Sequence, residues 1–315
     1  MTHGPLDVVI VNWNAGRQLQ QCLDSLARVA SLDGVELGTV AVVDNASSDG
    51  SADALVAGAL PLVVLRNPEN RGFGAACNQG AAVCSSGFLL FLNPDTVLRA
   101  DALRKPLDFL GSTTGSSAAI CGVQTVDEHN NIARSCARFP TPGSMVVYAL
   151  ALDRVVPGVF RSYFMSDWDH SGCAFVDHLI GAFYLIRRDV FDRVGGFDER
   201  FFVYMEDLDL SRRVALAGGR SFFMADAVVF HKGGGTSDQV RAKRLFFSLR
   251  SRLQYAGKHF GLVGAWIVLT VTLLVEPWLR LAHASARGGN AIRETADAYR
   301  MLFGGLPELL RNWRQ

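Results

Sequence analysis

The sequence has few cysteines, and they follow no pattern. Its six cysteines include no C-x-x-C pair, which argues against a disulfide framework or a cysteine-based metal site. We interpret all six as reduced residues that pack in the core. The N-terminal residues also lack the basic start and apolar core of a secretory signal, so we expect a cytoplasmic protein.

An overall excess of one charge is also missing, because 31 Lys and Arg residues face 30 Asp and Glu residues. The charges are unevenly distributed. Residues 1–240 have 19 basic and 26 acidic residues, a net −7, whereas residues 241–315 have 12 and 4, a net +8. An acidic body with a basic tail gives no reason to expect a nucleic-acid partner, but the tail suits an anionic surface.

Long apolar runs are scarce, with one exception near the C-terminus. Residues 260–275 have no charge over 16 positions, slightly fewer than the roughly 20 that span a bilayer. Trp266 and Trp278 suit a headgroup region. Basic residues precede the run: Arg241, Lys243, Arg244, Arg250, Arg252 and Lys258. We therefore predict a helical extension over 241–315 that associates with the inner face of the cell membrane. A buried helix or a homodimer face remains the alternative.

The first hundred residues alternate between strand and helix patterns. Strands are predicted at 6–11, 40–43, 62–65 and 88–92, and helices at 17–29, 52–59 and 73–83. This repetition indicates an α/β fold with a mainly parallel sheet flanked by helices. We assign residues 1–240 to one domain, with parts at about 1–100 and 101–240.

Polar residues follow three of the predicted strands, where parallel sheets place their ligands. Asp44 and Asn45 follow the second strand, and Asp95 follows the fourth in Asn93-Pro94-Asp95. The glycine-rich segment 67–80 opens a helix, so its free N–H groups with Arg71 suit a diphosphate. Each motif alone is equally consistent with a helix cap or a tight turn.

Acidic residues cluster in Glu206-Asp207-Leu208-Asp209, at the predicted start of a helix. Neighbouring residues on a helix point about 100° apart, so one of Glu206 and Asp207 faces the acceptor. Asp209 and Arg213 have the spacing of an ordinary helix ion pair. His231 follows a β-branched run and offers a nitrogen to a metal or a phosphate.

Together these motifs resemble the inverting family-2 glycosyltransferases with the GT-A fold, and among them the bacterial rhamnosyltransferases that act on polyprenyl-diphosphate-linked sugars. The motifs that carry the resemblance are Val11–Asn14, Val43–Ser51, Asn70–Gly74, Asn93–Asp95, Gly181–Phe183, Gly195–Glu199, Glu206–Asp209 and His231. They occur in the family's order across residues 6–240. The resemblance implies that residues 1–240 are the catalytic domain, with its nucleotide-binding part at about 1–100 and its acceptor and catalytic part at about 101–240.

The resemblance implies a role for each site residue. Asp207 would be the catalytic base with Glu206 as its partner, and Asp95 with His231 would bind Mg²⁺ or Mn²⁺. The donor nucleotide-sugar site would contain Asn12, Asp44, Asn45, Arg71, Gly72, Asn78, Asn93, Gly181 and Ala182. Asn93-Pro94-Asp95 replaces the family's frequent Asp-x-Asp, so a single carboxylate remains for the metal.

The resemblance further implies transfer of L-rhamnose from dTDP-rhamnose to N-acetylglucosaminyl-diphospho-polyprenol or a related cell-envelope acceptor. Because thymine and uracil differ by one methyl group, a UDP-hexose or galactofuranose donor is the near alternative. A nucleotide-sugar-binding scaffold without catalysis is the alternative from another class. A dinucleotide-dependent oxidoreductase is disfavoured because the glycine-rich loop follows the third strand rather than the first.

Overall fold

The structure is a computed structural model that describes residues 4–53, 55–231 and 241–313. The chain divides into two compact units. The described residues of the first unit lie within 1–137, 166–199 and 206–236, and those of the second within 138–165, 200–205 and 237–315. The second unit thus includes residues 138–165, which were expected to belong to the catalytic part.

The helices and strands, in chain order, are β1 (Leu6–Asn12), α1 (Arg17–Asp33), β2 (Leu37–Asp44), β3 (Leu62–Arg66), α2 (Phe73–Ala82), β4 (Phe88–Leu92), β5 (Thr96–Leu98), α3 (Arg104–Gly111), β6 (Ala118–Val126), β7 (Ile132–Ala133), β8 (Cys136–Ala137), α4 (Pro142–Ala149), α5 (Leu152–Val155), β9 (Ala174–Val176), β10 (His178–Leu179), β11 (Phe183–Arg187), α6 (Arg188–Arg193), α7 (Glu206–Leu216), β12 (Arg220–His231), α8 (Arg241–His259), α9 (Gly261–Thr270), a π-helical segment (Val271–Val275), α10 (Glu276–Ser285) and α11 (Gly289–Asn312).

The first unit is built on a mixed, mainly parallel sheet. Its strand order is β3-β2-β1-β4-β11-β6-β12-β5, with β7 beside β6 and β9 beside β12. β2 pairs in parallel with β1 and β3, β1 with β4, and β6 with β12. β11 lies antiparallel between β4 and β6, so it starts at the edge where its two neighbours end. The predicted fold class is confirmed.

Apolar residues explain the central strands and the first helix. Every residue of β1 and β4 is buried; β4 is apolar throughout, as in a covered sheet, and β1 is apolar apart from Asp7 and Asn12. In α1 the buried residues Leu19, Cys22, Leu23 and Leu26 recur at helical spacing and join the core. The helix ends at Gly34, which has a φ of 65°.

Two predictions from the sequence are wrong in this unit. The helix expected over 52–59 is absent from its described residues, because the Ala52 carbonyl accepts from Arg66 and Asp53 pairs with the same guanidinium at 2.9 Å. The cysteines are all free thiols, but Cys173 is exposed rather than packed in the core.

In the second unit the helices α8 to α11 occupy most of the predicted C-terminal extension. One helix among the described residues, Gly261–Ser285, is long and apolar enough to cross a membrane by length and composition. A third of its most apolar stretch is buried within the protein. Leu262, Val263 and Trp278 are each more than 70% exposed, so part of this helix presents a bare apolar surface.

The assignment of Arg252 to the basic surface flank is wrong. Its side chain is buried and pairs with the buried Glu276 of α10. The guanidinium also donates to Thr272 Oγ1 at 3.0 Å, and Arg280 donates to Glu276 at 2.8 Å. Arg252 therefore fastens α8 to the long apolar helix instead of facing solvent.

Candidate active site

The predicted site residues of the first unit gather at one edge of the sheet. The parallel strands β1, β2, β4 and β12 end at this edge, and the antiparallel β11 begins there. Asn12 and Asp44 are the last residues of β1 and β2, and they face each other across the ladder. Asn93 follows β4, and His231 ends β12.

A hydrogen-bond network holds the ends of β1 and β2 together. The Asn12 amide donates to Asp44 Oδ1 at 2.9 Å and to the Ser47 and Ser51 hydroxyls at 3.0 and 2.9 Å. The Asn12 Oδ1 atom is buried, and it has no hydrogen-bond partner among the residues that the structure describes. Ser47 and Ser51 were not predicted as site residues, because a Ser-rich turn after a strand is indistinguishable from a helix cap in sequence.

Asn45 organises the glycine-rich loop through its side chain. Its amide nitrogen donates to Asn70 Oδ1 at 2.9 Å and to the Gly72 carbonyl at 3.1 Å. Its amide oxygen accepts from Asn67 and from the Arg71 backbone N–H, both at 3.0 Å. Gly72 has a φ of 88°, a conformation that favours glycine, and it leads directly into α2.

Asn78 and Arg71 are joined to the segment after α6. The Asn78 side chain donates to the Phe197 carbonyl and accepts from the Phe197 N–H, both at 2.9 Å. It also donates to Glu199 Oε1 at 3.0 Å, and the exposed Arg71 guanidinium lies 3.9 Å from the same carboxylate. Asn78 thus fixes the conformation of the segment at Phe197, whereas the Arg71 side chain places a positive charge at the surface. Glu199 has no predicted role, although it belongs to one of the motifs that carry the resemblance.

Asp95 and His231 meet across the strand ends. His231 Nε2 lies 3.3 Å from Asp95 Oδ1 and 3.4 Å from the Asn93 amide nitrogen. Both side chains are partly exposed, Asp95 at 14% and His231 at 19%. No cluster of three or more His, Cys, Asp or Glu residues suited to a metal occurs in 4–53, 55–231 or 241–313.

Asp207 is connected to the same edge through the start of β11. The Gly181 N–H donates to Asp207 Oδ2 at 2.9 Å, and a Cβ on Gly181 would lie 3.2 Å from that oxygen. The neighbouring Ala182 is buried, and its carbonyl accepts from the Asn93 N–H at 3.0 Å. The backbone of Gly181 and Ala182 therefore links Asp207 to the Asn93–Asp95 turn.

Glu206 and Asp207 differ in environment although they are adjacent. Glu206 is buried, and within the described part of the chain its Oε2 has no hydrogen-bond partner. Burial, together with the charge of Asp207, raises the pKa of Glu206 well above its ordinary value. The Asp207 side chain is 19% exposed and accepts from the Gly181 and Leu208 N–H groups. Asp209 pairs with Arg213 at 2.7 Å, as the helical spacing predicts.

The family model for glycosyl transferase family 2 matches residues 7–195, and the chain belongs to that family. The family, the fold and the enzyme class expected from the sequence are thereby confirmed.

Relatives with known names agree with this assignment. The N-acetylglucosaminyl-diphospho-decaprenol L-rhamnosyltransferase of Mycobacterium tuberculosis is 27% identical over 81% of this chain and 85% of its own length. The rhamnosyltransferase WbbL of Escherichia coli is 28% identical over 54% of this chain and 62% of its own. Among solved structures, the mannosyltransferase PcManGT of Pyrobaculum calidifontis shares the fold, with a TM-score of 0.54 and 18% identity over 99% of this chain and 82% of that one.

Proposed function

We propose that this protein is an inverting glycosyltransferase that moves L-rhamnose from dTDP-L-rhamnose to N-acetylglucosaminyl-diphospho-polyprenol. One observation carries the proposal: Asp44, the Asp95–His231 pair and Asp207 stand at a single sheet edge. Asn12 contacts Asp44, and the backbone of Asn93, Ala182 and Gly181 links the Asp95–His231 pair to Asp207. The name of the M. tuberculosis relative supports the choice of donor sugar and acceptor.

The donor nucleotide would lie over the ends of β1 and β2. Asp44 offers carboxylate acceptors for the N–H or O–H groups of a nucleoside, and the buried Asn12 amide holds that carboxylate in place. Arg71 and the N–H groups at the start of α2 suit the donor diphosphate, because a helix start favours anions. Asn45 would act indirectly by holding the Arg71 backbone.

A divalent cation, Mg²⁺ or Mn²⁺, fits the Asp95–His231 pair. The 3.3 Å separation of Oδ1 and Nε2 lets both atoms face one ion, and the donor diphosphate with water would supply the other ligands. The bound cation would neutralise negative charge on the departing diphosphate. PcManGT, a structural neighbour, was solved with GDP-Man and Mn²⁺.

The chemistry is a single displacement. The acceptor hydroxyl oxygen forms a bond to the anomeric carbon from the face opposite the leaving group, and the bond from that carbon to the diphosphate oxygen breaks. The hydroxyl proton passes to a carboxylate, for which we assign Asp207. Asp207 is partly exposed and held by two N–H groups, whereas Glu206 is buried and favours its neutral form.

Exchange of each carboxyl group for its amide tests this assignment. In Asp207→Asn we expect rhamnose transfer to a synthetic N-acetylglucosaminyl-diphospho-lipid to fall by about 10²-fold or more, the size of a lost general base. Glu206→Gln, which replaces one neutral group by another, should lose less than about tenfold. Near-normal turnover in Asp207→Asn would refute the assignment of the base.

Thermal shifts with nucleotides test the donor and the cation. A ligand that binds only the native state raises its melting temperature by mass action. We expect dTDP with Mn²⁺ to raise Tm more than UDP or GDP, and Asp95→Asn to remove the Mn²⁺-dependent part of that rise. Asp24→Asn, an exposed carboxylate on α1, is the matched control. A larger shift with UDP would favour a UDP-hexose or galactofuranose donor instead.

The exposed apolar helix Gly261–Ser285 supports a peripheral position on the inner membrane face. A polyprenyl-diphosphate acceptor is confined to a membrane, so an enzyme that uses it must work at the headgroup plane. Glu276 of this helix is fully buried in its pair with Arg252, which favours a helix that lies on the bilayer over one that crosses it.

A further inference from the structure

Behind Asp207 lies a buried chain of three polar side chains that the proposed mechanism does not use. The Tyr184 hydroxyl lies 3.0 Å from Ser211 Oγ, and Ser211 Oγ lies 3.0 Å from His178 Nδ1. The other imidazole nitrogen, His178 Nε2, lies 3.8 Å from Asp207 Oδ2. All three side chains are at least 95% buried, in the first unit.

Local geometry explains how these residues converge. Asp207 and Ser211 are four residues apart on α7 and therefore share a helix face. His178 belongs to the short strand β10, and three residues later the Gly181 N–H donates to the same Asp207 oxygen. The segment 178–181 thus contacts the carboxylate at two points, one through its backbone and one through the imidazole.

The Asp207 carboxylate favours one of the two neutral forms of the imidazole, and the hydroxyls of Ser211 and Tyr184 can accommodate it. Burial lowers the pKa of His178, so the imidazole is neutral and has a single N–H. Burial also raises the pKa of Tyr184, so its hydroxyl keeps its proton. If Tyr184 donates to Ser211 and Ser211 donates to Nδ1, the N–H is on Nε2 and faces the carboxylate. The opposite order would turn a lone pair toward Asp207, which electrostatics disfavours.

We propose that His178, held by Ser211 and Tyr184, is a positioning residue that orients the Asp207 carboxylate toward the acceptor hydroxyl. This inference rests on the proposed role of Asp207 as the base. At 3.8 Å the contact is longer than a hydrogen bond, and such contacts commonly shorten when substrate binds.

Other ionisable groups lie near Asp207 and His178, and the substitutions at position 178 leave all of them in place. The charge of Asp177 affects the pKa of His178. The charges of Asp209 and Arg213 affect the pKa of Tyr184, and that of Glu206 affects the pKa of Cys77. Burial raises the pKa of the Cys77 thiol on α2 well above its ordinary value, and the charges of Glu206 and Asp207 raise it further. The ionisable groups around Asp207 and His178 are Cys77, Asp177, Tyr184, Glu206, Asp209 and Arg213.

Two amide substitutions at position 178 separate positioning from packing. In His178→Gln the amide reaches the place of Nε2, and in His178→Asn it reaches only the place of Nδ1. We expect His178→Asn to lower kcat by about tenfold or more, with the KM for donor changed less than about twofold. The acidic limb of its kcat/KM profile should move to higher pH by about half a unit or more, because ionised Asp207 has lost a donor. His178→Gln should recover most of both effects, and Tyr184→Phe should show a weaker form of them.

The matched control is His170→Asn, another buried histidine in the first unit, whose ring contacts the Cys136 N–H and the Trp168 carbonyl. Its loss should lower Tm without moving the pH profile. Equal profiles for His178→Asn and wild type, or equal behaviour of the Asn and Gln variants, would overturn the inference. If Asp207→Asn itself keeps normal turnover, the proposed base is wrong, and that outcome is distinct from a failure of His178 alone.

Discussion

At the scale of single residues, the two adjacent carboxyl groups of α7 differ in burial and therefore in how readily each is ionised. Glu206 points into the protein, where burial penalises its charge, whereas Asp207 remains partly exposed and accepts from two N–H groups. The same residue class thus has two roles because the helix turns by about 100° between them. In the proposed mechanism the buried acid stays protonated, and the partly exposed Asp207 takes the proton.

The raised pKa of Glu206 predicts a specific dependence of stability on pH. In the folded protein Glu206 holds its proton to a higher pH than in the unfolded chain. Its contribution to stability is therefore complete below about pH 4.3 and declines as pH rises toward its folded pKa, by up to about 1.4 kcal/mol per pH unit. The amide in Glu206→Gln has no proton to lose. The Tm of this variant should therefore rise relative to the Tm of the wild type as pH increases from 5 to 8. Glu69→Gln, an exposed loop residue, should show no such gain. A Tm difference that is constant with pH would mean that Glu206 is ionised when folded.

Patterns in the sequence locate acids but do not separate structural from functional ones. Asp44 and Asp95 stand out because they follow apolar strands, and the structure brings both to the predicted edge. Asp33 has no such signal, yet its buried carboxylate accepts from the backbone N–H groups of Asp101, Leu103 and Arg104. Such partners lie about 70 residues away along the chain, so no local pattern reports them.

At the scale of elements, continuous apolar runs were the most predictable features. The strand predicted over 88–92 has the bounds of β4, because a fully buried strand needs apolar residues at every position. The helix predicted over 52–59 failed because its pattern was short and Arg66 competes for its backbone. The pair β8 and β10, which presents His178, has two residues per strand and leaves no periodic signal.

The packing of α2 on the sheet depends on the absence of a side chain at Gly80. A Cβ there would lie 2.4 Å from Val9 Cγ1 and 3.2 Å from Val43 Cγ2, both in buried strands. Alanine in a helix gains about 1 kcal/mol over glycine, but overpacking a core costs about 1–3 kcal/mol. We therefore expect Gly80→Ala to lower the Tm of the first unit by a few degrees in thermal unfolding.

The same exchange in an open helix position provides the contrast. Gly304 lies within α11, and a Cβ added there would meet no side chain and no other element within 4 Å. Gly304→Ala should therefore stabilise by about 1 kcal/mol, since only helix propensity changes. If Gly80→Ala also stabilised, α2 would have room to move away from β1, and the tight contact would not constrain the helix.

At the scale of the whole molecule, charge and apolar surface are divided along the chain. The net charge is −7 over residues 1–240 and +8 over residues 241–315, and the long apolar helix belongs to the basic part. Arg252 and Glu276 are buried together, so the basic character of the tail rests on its other cations. This combination of exposed apolar residues and positive charge is typical of helices that lie on anionic membranes.

Polar replacements on the exposed helix face test its membrane role without truncating the chain. Trp278 is 71% exposed and Leu274 is 64% exposed, so Trp278→Gln with Leu274→Gln should leave Tm almost unchanged. Binding to vesicles with anionic lipid, measured by co-sedimentation, should weaken by about tenfold or more, because each side chain loses more than about 1 kcal/mol of apolar transfer. Leu216→Gln replaces a leucine on α7 that is 78% exposed, and this variant should bind vesicles like wild type. If vesicle binding is unchanged and the double variant instead shifts a dimer to a monomer in sedimentation velocity, the apolar face is a contact between two copies of the chain.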